Sequence, residues 1–495
     1  MNRVRNHLGG RFPLAFSSFV AEVSLQFLWL TLFFLILPAS LWILPPLVLL
    51  SGLIIVVSLW MMQRSVSLFN LRQMTIPALF YFMYVGIILI PGFFIFDAEI
   101  TPSRWRFLFG IESVLLTVPL GIWVANLFLR FRRQEIADYF RQPVAPEKPG
   151  AHPKRIYLVV LALAFVLVLM NLWETPVIPL LYLIFHPGDF LQVALLREDS
   201  FKLLTSHFLY AYYVVRTTVL PFLIILALGR YLQQKEPAWR RLFVISLVLG
   251  VLYAAVTVEK APVAAIAAVL GIFYYLFKGG KLGKMATVVF PLLFLSFPII
   301  VVLLAYNGSE AGTLSGALQA MAARIFYSPA EVVYAYFEVF PGVLPFQHGA
   351  GMVKLGHLMG WTVIDIPNFV GVYMEGAKDL DTITANTCFI GNFNADFGLP
   401  GVVVSGITAG FIMQFVNVYF CRRPKTVVHL AACALCFWAF GMLVTSALST
   451  QLLSGGVTFA LLLLWLFKDR ERVLPGDFWK EPPSSLGSGL TPAGG

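Results

Sequence analysis

Runs of about 20 apolar residues recur along this chain, and a segment of that length spans the hydrocarbon core of a bilayer as a helix. Irregular backbone in lipid would leave N–H and C=O groups without partners, so each run is read as a helix. Helices are expected near Leu25 to Ala39, Trp42 to Met62, Ile76 to Phe96, Phe107 to Leu129, Ile156 to Trp173 and His207 to Gly229. Six more are expected near Leu242 to Val258, Pro262 to Phe277, Ala286 to Tyr306, Phe397 to Phe420, Val427 to Leu448 and Leu452 to Phe467. Composition agrees: 59% of the 495 residues are hydrophobic and 12% are charged, against about 25% charged in a soluble domain. A water-soluble core could not absorb that much apolar surface.

The connections between these runs alternate in charge. With a cytoplasmic N-terminus, 26 of the 35 Lys and Arg residues fall on cytoplasmic segments, as expected when short basic loops resist translocation. Both termini are therefore expected on the cytoplasmic side. The net charge of +10 is mainly this topological signal. No basic patch with interleaved aromatics points to nucleic acid. The four cysteines form no disulfide framework, and the Cys433/Cys436 pair lies inside an apolar run without further ligands.

The expected architecture is all-α and polytopic, with about 12 transmembrane helices. Residues 1–129 form a four-helix membrane region and residues 130–155 a cytoplasmic linker rich in Pro and charge. Residues 156–470 form the second membrane region, and residues 471–495 a disordered tail. Two non-cytoplasmic connections are long. Glu174 to Ser206 contains PLLYLIFHPGDF, which suggests an interfacial or re-entrant segment. Residues 307–396, between helices nine and ten, form a large loop with helical periodicity over Leu314 to Phe340. A loop of that length in a compact protein is usually functional.

Most of the remaining cations can be solvated at the interface, Arg197 among them. Arg216 cannot, because it sits about ten residues into a spanning run, where an ionisable group costs a few kcal/mol. It either pairs with a carboxylate such as Glu112 or serves an anion site reached from the outer side. Lys260 stands at a short hairpin, where it could pair with Glu259 beside it or join that same site. Arg324 opens the aromatic stretch RIFYSPAEVVYAYF in the large loop. Three cations facing one cavity would suit a diphosphate. His348, His357, Glu375 and Asp396 are loop residues able to act as general bases, with helix capping as the structural alternative for Asp396. Neither zinc spacing nor a phosphate-loop or nucleophile-elbow pattern occurs.

The stretch Thr384 to Phe411, TANTCFIGNFNADFGLPGVVVSGITAGF, resembles the C-terminal signature of bacterial oligosaccharide repeat-unit polymerases of the Wzy (O-antigen polymerase) type, relatives of the O-antigen ligases. The match lies in Asn386, Gly391, Asn394, Asp396, Phe397, Gly398, Gly401 and Gly406. The order of parts is also similar over Thr205 to Phe420, although related ligases tend to carry Arg where Lys260 stands. The resemblance implies a GT-C-like membrane glycosyltransferase of the bacterial inner membrane. It would join undecaprenyl-diphosphate-linked oligosaccharides at the periplasmic face, without cofactor or metal, alongside chain-length regulator and flippase proteins. Arg216, Lys260 and Arg324 would hold the diphosphate, Arg324 acting in catalysis as well. Asn392 and Asn394 would contact glycan, and the base would come from His348, His357, Glu375 or Asp396. An O-antigen ligase and a flippase for the lipid-linked oligosaccharide remain the alternatives.

Overall fold

The computed structural model describes residues 44–97, 101–146, 151–202, 206–309, 312–351, 360, 364–376 and 384–467, with scattered positions between 24 and 38. Every element among the described residues is a helix. Eleven are long and apolar enough to cross a membrane. We label these spans together with the shorter helices between them in chain order. They run α1 Pro45–Val66, α2 Ile76–Asp97, α3 Pro102–Leu129, α4 Gln134–Arg141, α5 Lys154–Glu174, α6 Pro179–Phe185, α7 Phe190–Lys202, α8 Phe208–Gln234 and α9 Pro237–Ala255. Then follow α10 Lys260–Phe277, α11 Lys284–Ala305, α12 Leu314–Ala322, α13 Ser328–Gly342, α14 Ile366–Glu375, α15 Phe389–Cys421, α16 Val427–Val444 and α17 Leu448–Phe467. The first expected helix, Leu25 to Ala39, lies largely outside the described residues, as does the tail after Glu471.

Local chemistry sets where the spans begin. Thr75, Thr101 and Thr426 each accept an N–H of the first turn, from Ala78, Arg104 and His429 respectively. Proline stands in the first turn of α1, α2, α3 and α9, where no intrahelical donor is lost. The largest boundary difference is at α15, which starts at Phe389 rather than near Phe397. Its first turns read as loop because of their polar residues, yet Phe389, Ile390 and Ala395 are buried. Gly398, at φ 65° and ψ −156°, then breaks the helix. That backbone region is open to glycine almost alone.

The glycines of this helix have a packing reason. A Cβ at Gly406 would collide with Thr117, one at Gly410 with the Val118 carbonyl, and one at Gly121 with the Ile407 carbonyl. Helices α3 and α15 therefore meet backbone to backbone, as small residues allow in membranes. Toward their ends Gln414 donates to Asn126 at 2.6 Å, and Asn417 donates to Gln414 at 3.3 Å. This seam joins the first membrane region to the second.

By connectivity the bundle has a basic end, carrying the 66–76, 129–154, 234–237, 277–284 and 421–427 connections, and a loop end. The expected linker carries structure of its own at the basic end, since α4 buries Ile136, Tyr139 and Phe140. At the loop end α13 lies against spans rather than in solvent. Arg106 of α3 donates to the carbonyls of Phe337 and Phe340 at 3.0 and 3.1 Å. The rings of Tyr334 and Phe337 meet Phe107 edge-on at 5.5 and 5.9 Å. Leu183 of α6 and Val193 of α7 are buried with Val258, Val301 and Ala305.

Candidate functional site: a cation cluster at the loop end

Arg216 lies in α8 and is 7% exposed. The helix is widened there into a π-helical turn, Val215–Val219. Such turns are rare and concentrate at functional sites. The guanidinium places Nη2 2.8 Å from Glu259 Oε2 and donates from Nη1 to Thr257 Oγ1 at 3.0 Å. The Tyr213 ring is 5.9 Å away. Glu259, not Glu112, is thus the partner of Arg216, because the α9–α10 turn reaches this depth beside α8. Glu112 instead accepts a hydrogen bond from Ser51 of α1.

The α9–α10 turn carries strain. Val258 has φ 60°, an outlier for a β-branched residue. Holding it there costs on the order of 1–3 kcal/mol, a kind of strain that clusters at binding sites. The turn points Thr257 and Glu259 at Arg216 and starts α10 with the half-buried Lys260. Glu259 is therefore bound to Arg216 rather than to its neighbour.

Lys260 lies within electrostatic reach of Arg324 and Arg197. Among the described residues none of these three makes an ion pair. Arg324 is exposed and sits in a second π-helical turn, Ala323–Tyr327, between α12 and α13. Both arginines expected at the site thus occupy the second position of a π turn. Like charges gathered around the half-buried Lys260 repel one another, so the cluster gains energy when an anion arrives. Arg197, on α7, is exposed, as expected of a cation solvated at the interface, and nothing in its sequence spacing links it to Lys260. Tertiary folding supplies that neighbour.

The remaining expected site residues form a second group. Asp396 is 1% exposed and its Oδ1 accepts the N–H groups of Gly349 and Gly351 at 3.0 and 3.1 Å. Its carbonyl accepts the His348 N–H at 2.9 Å. Asp396 therefore clamps the 347–351 loop and caps no helix, since α15 starts seven residues earlier. His348 is exposed, at φ 50°, within electrostatic reach of Asp396. Asn394, 1% exposed, donates to the Tyr336 carbonyl at 3.3 Å. Asn392 is half-buried, with a side-chain carbonyl lacking a partner among the described residues. Glu375 is exposed at the end of α14, and His357 lies outside the described residues.

The two groups are separated along α13. Arg324 and Tyr336 stand roughly 18 Å apart at helical rise, so this fold does not bring the cations and His348 or Asp396 to one point. Among the described residues no set of three His, Cys, Asp or Glu is placed to hold a metal ion.

The fold is that of a multi-pass helical membrane protein. Compared with family models, with curated proteins and with solved structures, the chain matches none of them.

Proposed function

We propose that this protein is a membrane glycosyltransferase that extends a polysaccharide by transferring a glycan from a polyprenyl diphosphate to a hydroxyl of the next lipid-linked unit. The observation that carries this reading is the gathering of Lys260, Arg324 and Arg197 beside the buried Arg216–Glu259 pair, at the end where the long connections lie. The likeness of Thr384 to Phe411 to repeat-unit polymerases supports it independently. Under the positive-inside rule the loop end faces away from the cytoplasm.

The chemistry follows from charge. As the glycosyl–oxygen bond breaks, negative charge builds on the departing diphosphate. Fixed cations at that point stabilise it without reorganisation. Lys260, Arg324 and Arg197 take this role, while Arg216, already paired, orients Glu259. A base must come within about 3 Å of the proton it removes. Glu259 is the carboxylate standing among the cations and takes the proton of the attacking hydroxyl. His348, on its exposed loop, contacts glycan farther from the bond, and Asp396 positions the loop that carries His348.

Deleting the gene and examining surface polysaccharide tests the reading. Loss of long chains with single repeat units still attached is the expected result. Complete absence of attached repeats would point to a ligase instead, and lipid-linked units retained on the cytoplasmic face to a flippase.

A further inference from the structure

A second cation-lined site lies at the opposite end of the bundle. Four connections at the basic end border an open cavity of about 660 Å³, within the range typical of small-molecule sites. Arg72, Arg141, Lys278, Lys281 and Lys425 line it, and among the described residues no Asp or Glu does. Arg141 has a carboxylate nearby, Asp138 at 3.7 Å, but both side chains are exposed.

Lys425 separates this cavity from an ordinary basic surface. It is 2% exposed, so its ammonium is withdrawn from water. Its surroundings are the rings of Tyr139 and Phe140, at 5.3 and 5.9 Å, and the Gln142 carbonyl at 3.5 Å. An ammonium has three donors, and here only one is spent, on a long bond. Burial pushes its pKa down to about 8. Burying a cation without a counter-charge is costly, and the aromatic faces return only part of that cost. An anion in the cavity would supply the rest.

The walls are held in place without a ligand. The Tyr275 hydroxyl donates to the Leu71 carbonyl at 2.9 Å and accepts the Met74 N–H at 2.8 Å. This fixes the Arg72 segment against α10. Gly280, at φ 82°, lets the next connection press on the Arg72 carbonyl, where a Cβ would collide. The remaining lining includes Phe140, Pro143, Val144 and Phe277. The cavity therefore joins five cations to an apolar wall at the level where α10 ends and α16 begins.

We propose that this cavity binds a phosphate-bearing anion, supplied by the headgroup of an anionic membrane lipid whose glycerol and first methylenes lie on the apolar wall. The cations reach the phosphate oxygens, as in basic pockets between spans that hold lipid headgroups. Lys425 gives the site its depth, and the exposed Lys278 and Lys281 close over the phosphate. The site is separate from the cation cluster at the loop end and does not depend on the glycosyltransferase reading.

The test uses the full-length protein purified and delipidated in a neutral detergent. Binding of phosphatidylglycerol is followed by native mass spectrometry and thermal shift, with phosphatidylcholine and inorganic phosphate as the other probes. The wild type should bind phosphatidylglycerol in preference to phosphatidylcholine, and inorganic phosphate should compete with it. Lys278→Ala/Lys281→Ala, which changes only exposed side chains, should weaken that binding roughly ten-fold or more. Lys425→Gln should do the same while keeping the unliganded melting temperature at or above that of the wild type. Equal binding of the two lipids, or unchanged phosphatidylglycerol affinity in both variants, would overturn the site. Stabilisation by inorganic phosphate with none by phosphatidylglycerol would overturn the lipid as its source.

Discussion

The cation clusters at the two ends of the bundle are built on different principles. At the loop end the buried cation, Arg216, has its own carboxylate at 2.8 Å, and the other cations, with no ion pair among the described residues, stand nearer the surface on a π turn, a hairpin and a short helix. At the basic end the buried cation, Lys425, has aromatic rings and one carbonyl but, among the described residues, no carboxylate. In the first arrangement the buried Arg216 is paired even when the site is empty, with strain at Val258 and extra residues in the helices. The second is geometrically tied, through Tyr275 and Gly280, and electrostatically incomplete. A site for a reacting group needs charges fixed before the reaction, whereas a site for a resident anion can leave part of its compensation to the ligand.

Breaking the loop-end cluster should have the largest effect. Arg324→Ala removes an exposed cation, so membrane insertion and melting should be unchanged. Chain elongation should fall by about 10²-fold, as when one fixed donor to a developing anion is lost. Elongation assays on membranes containing the variant check this, and normal chain lengths would remove Arg324 from the site.

Glu259→Gln probes the tied character of the same end. It leaves the Arg216 guanidinium buried without its counter-charge, at a cost of about 3 kcal/mol, and it removes the proposed base. The two effects separate in the double variant Arg216→Leu/Glu259→Leu. It should recover most of the stability in a melting experiment but none of the activity.

The seam that holds both ends in register should respond next. Gly406→Val forces a branched side chain onto Thr117, and overpacking of this kind costs about 1–3 kcal/mol. A lowered melting temperature with unchanged phosphatidylglycerol affinity would show that the basic-end cavity does not need tight α3–α15 packing.

The smallest effect is expected at the basic end outside the cavity. Arg422 Nε stands 2.8 Å from Glu135 Oε2, with both side chains partly exposed. Burial raises the Glu135 pKa, but hydrogen bonds from Arg422 and the Arg132 N–H outweigh it and hold the carboxylate below its usual range. Because the folded pKa is depressed, the stabilisation is full above the usual carboxylate range and is lost as pH falls through the lowered value. Screening limits it to less than about 1 kcal/mol. The melting temperatures of Glu135→Gln and wild type should therefore converge as the pH is lowered.

Much of the bundle was legible in the sequence because hydropathy and capping are local. The apolar runs locate the spans, although the start of α3 was read at Phe107, five residues late, because the turn that Thr101 caps carries Arg104 and Arg106. Where reading failed, local polarity misled it. The first turns of α15 look like a loop, and α4 looked like part of a linker until its buried face was seen. The cations that needed a reason were also visible, since a charge inside an apolar run stands out whatever surrounds it.

Partners were not legible. Arg216 finds Glu259 instead of Glu112 because a hairpin from other helices reaches its depth. Arg197 comes within reach of Lys260 because Val193 of α7 packs with Val258 of the α9–α10 turn, and Lys425, two residues before a span, reads as a surface lysine until four connections border it. The sequence by itself determined where the spans run and which residues are out of place in lipid, because each depends on a window of neighbouring residues. Only the tertiary structure decided which charges meet, because the energy of a pair depends on distance through space and on what excludes water around it.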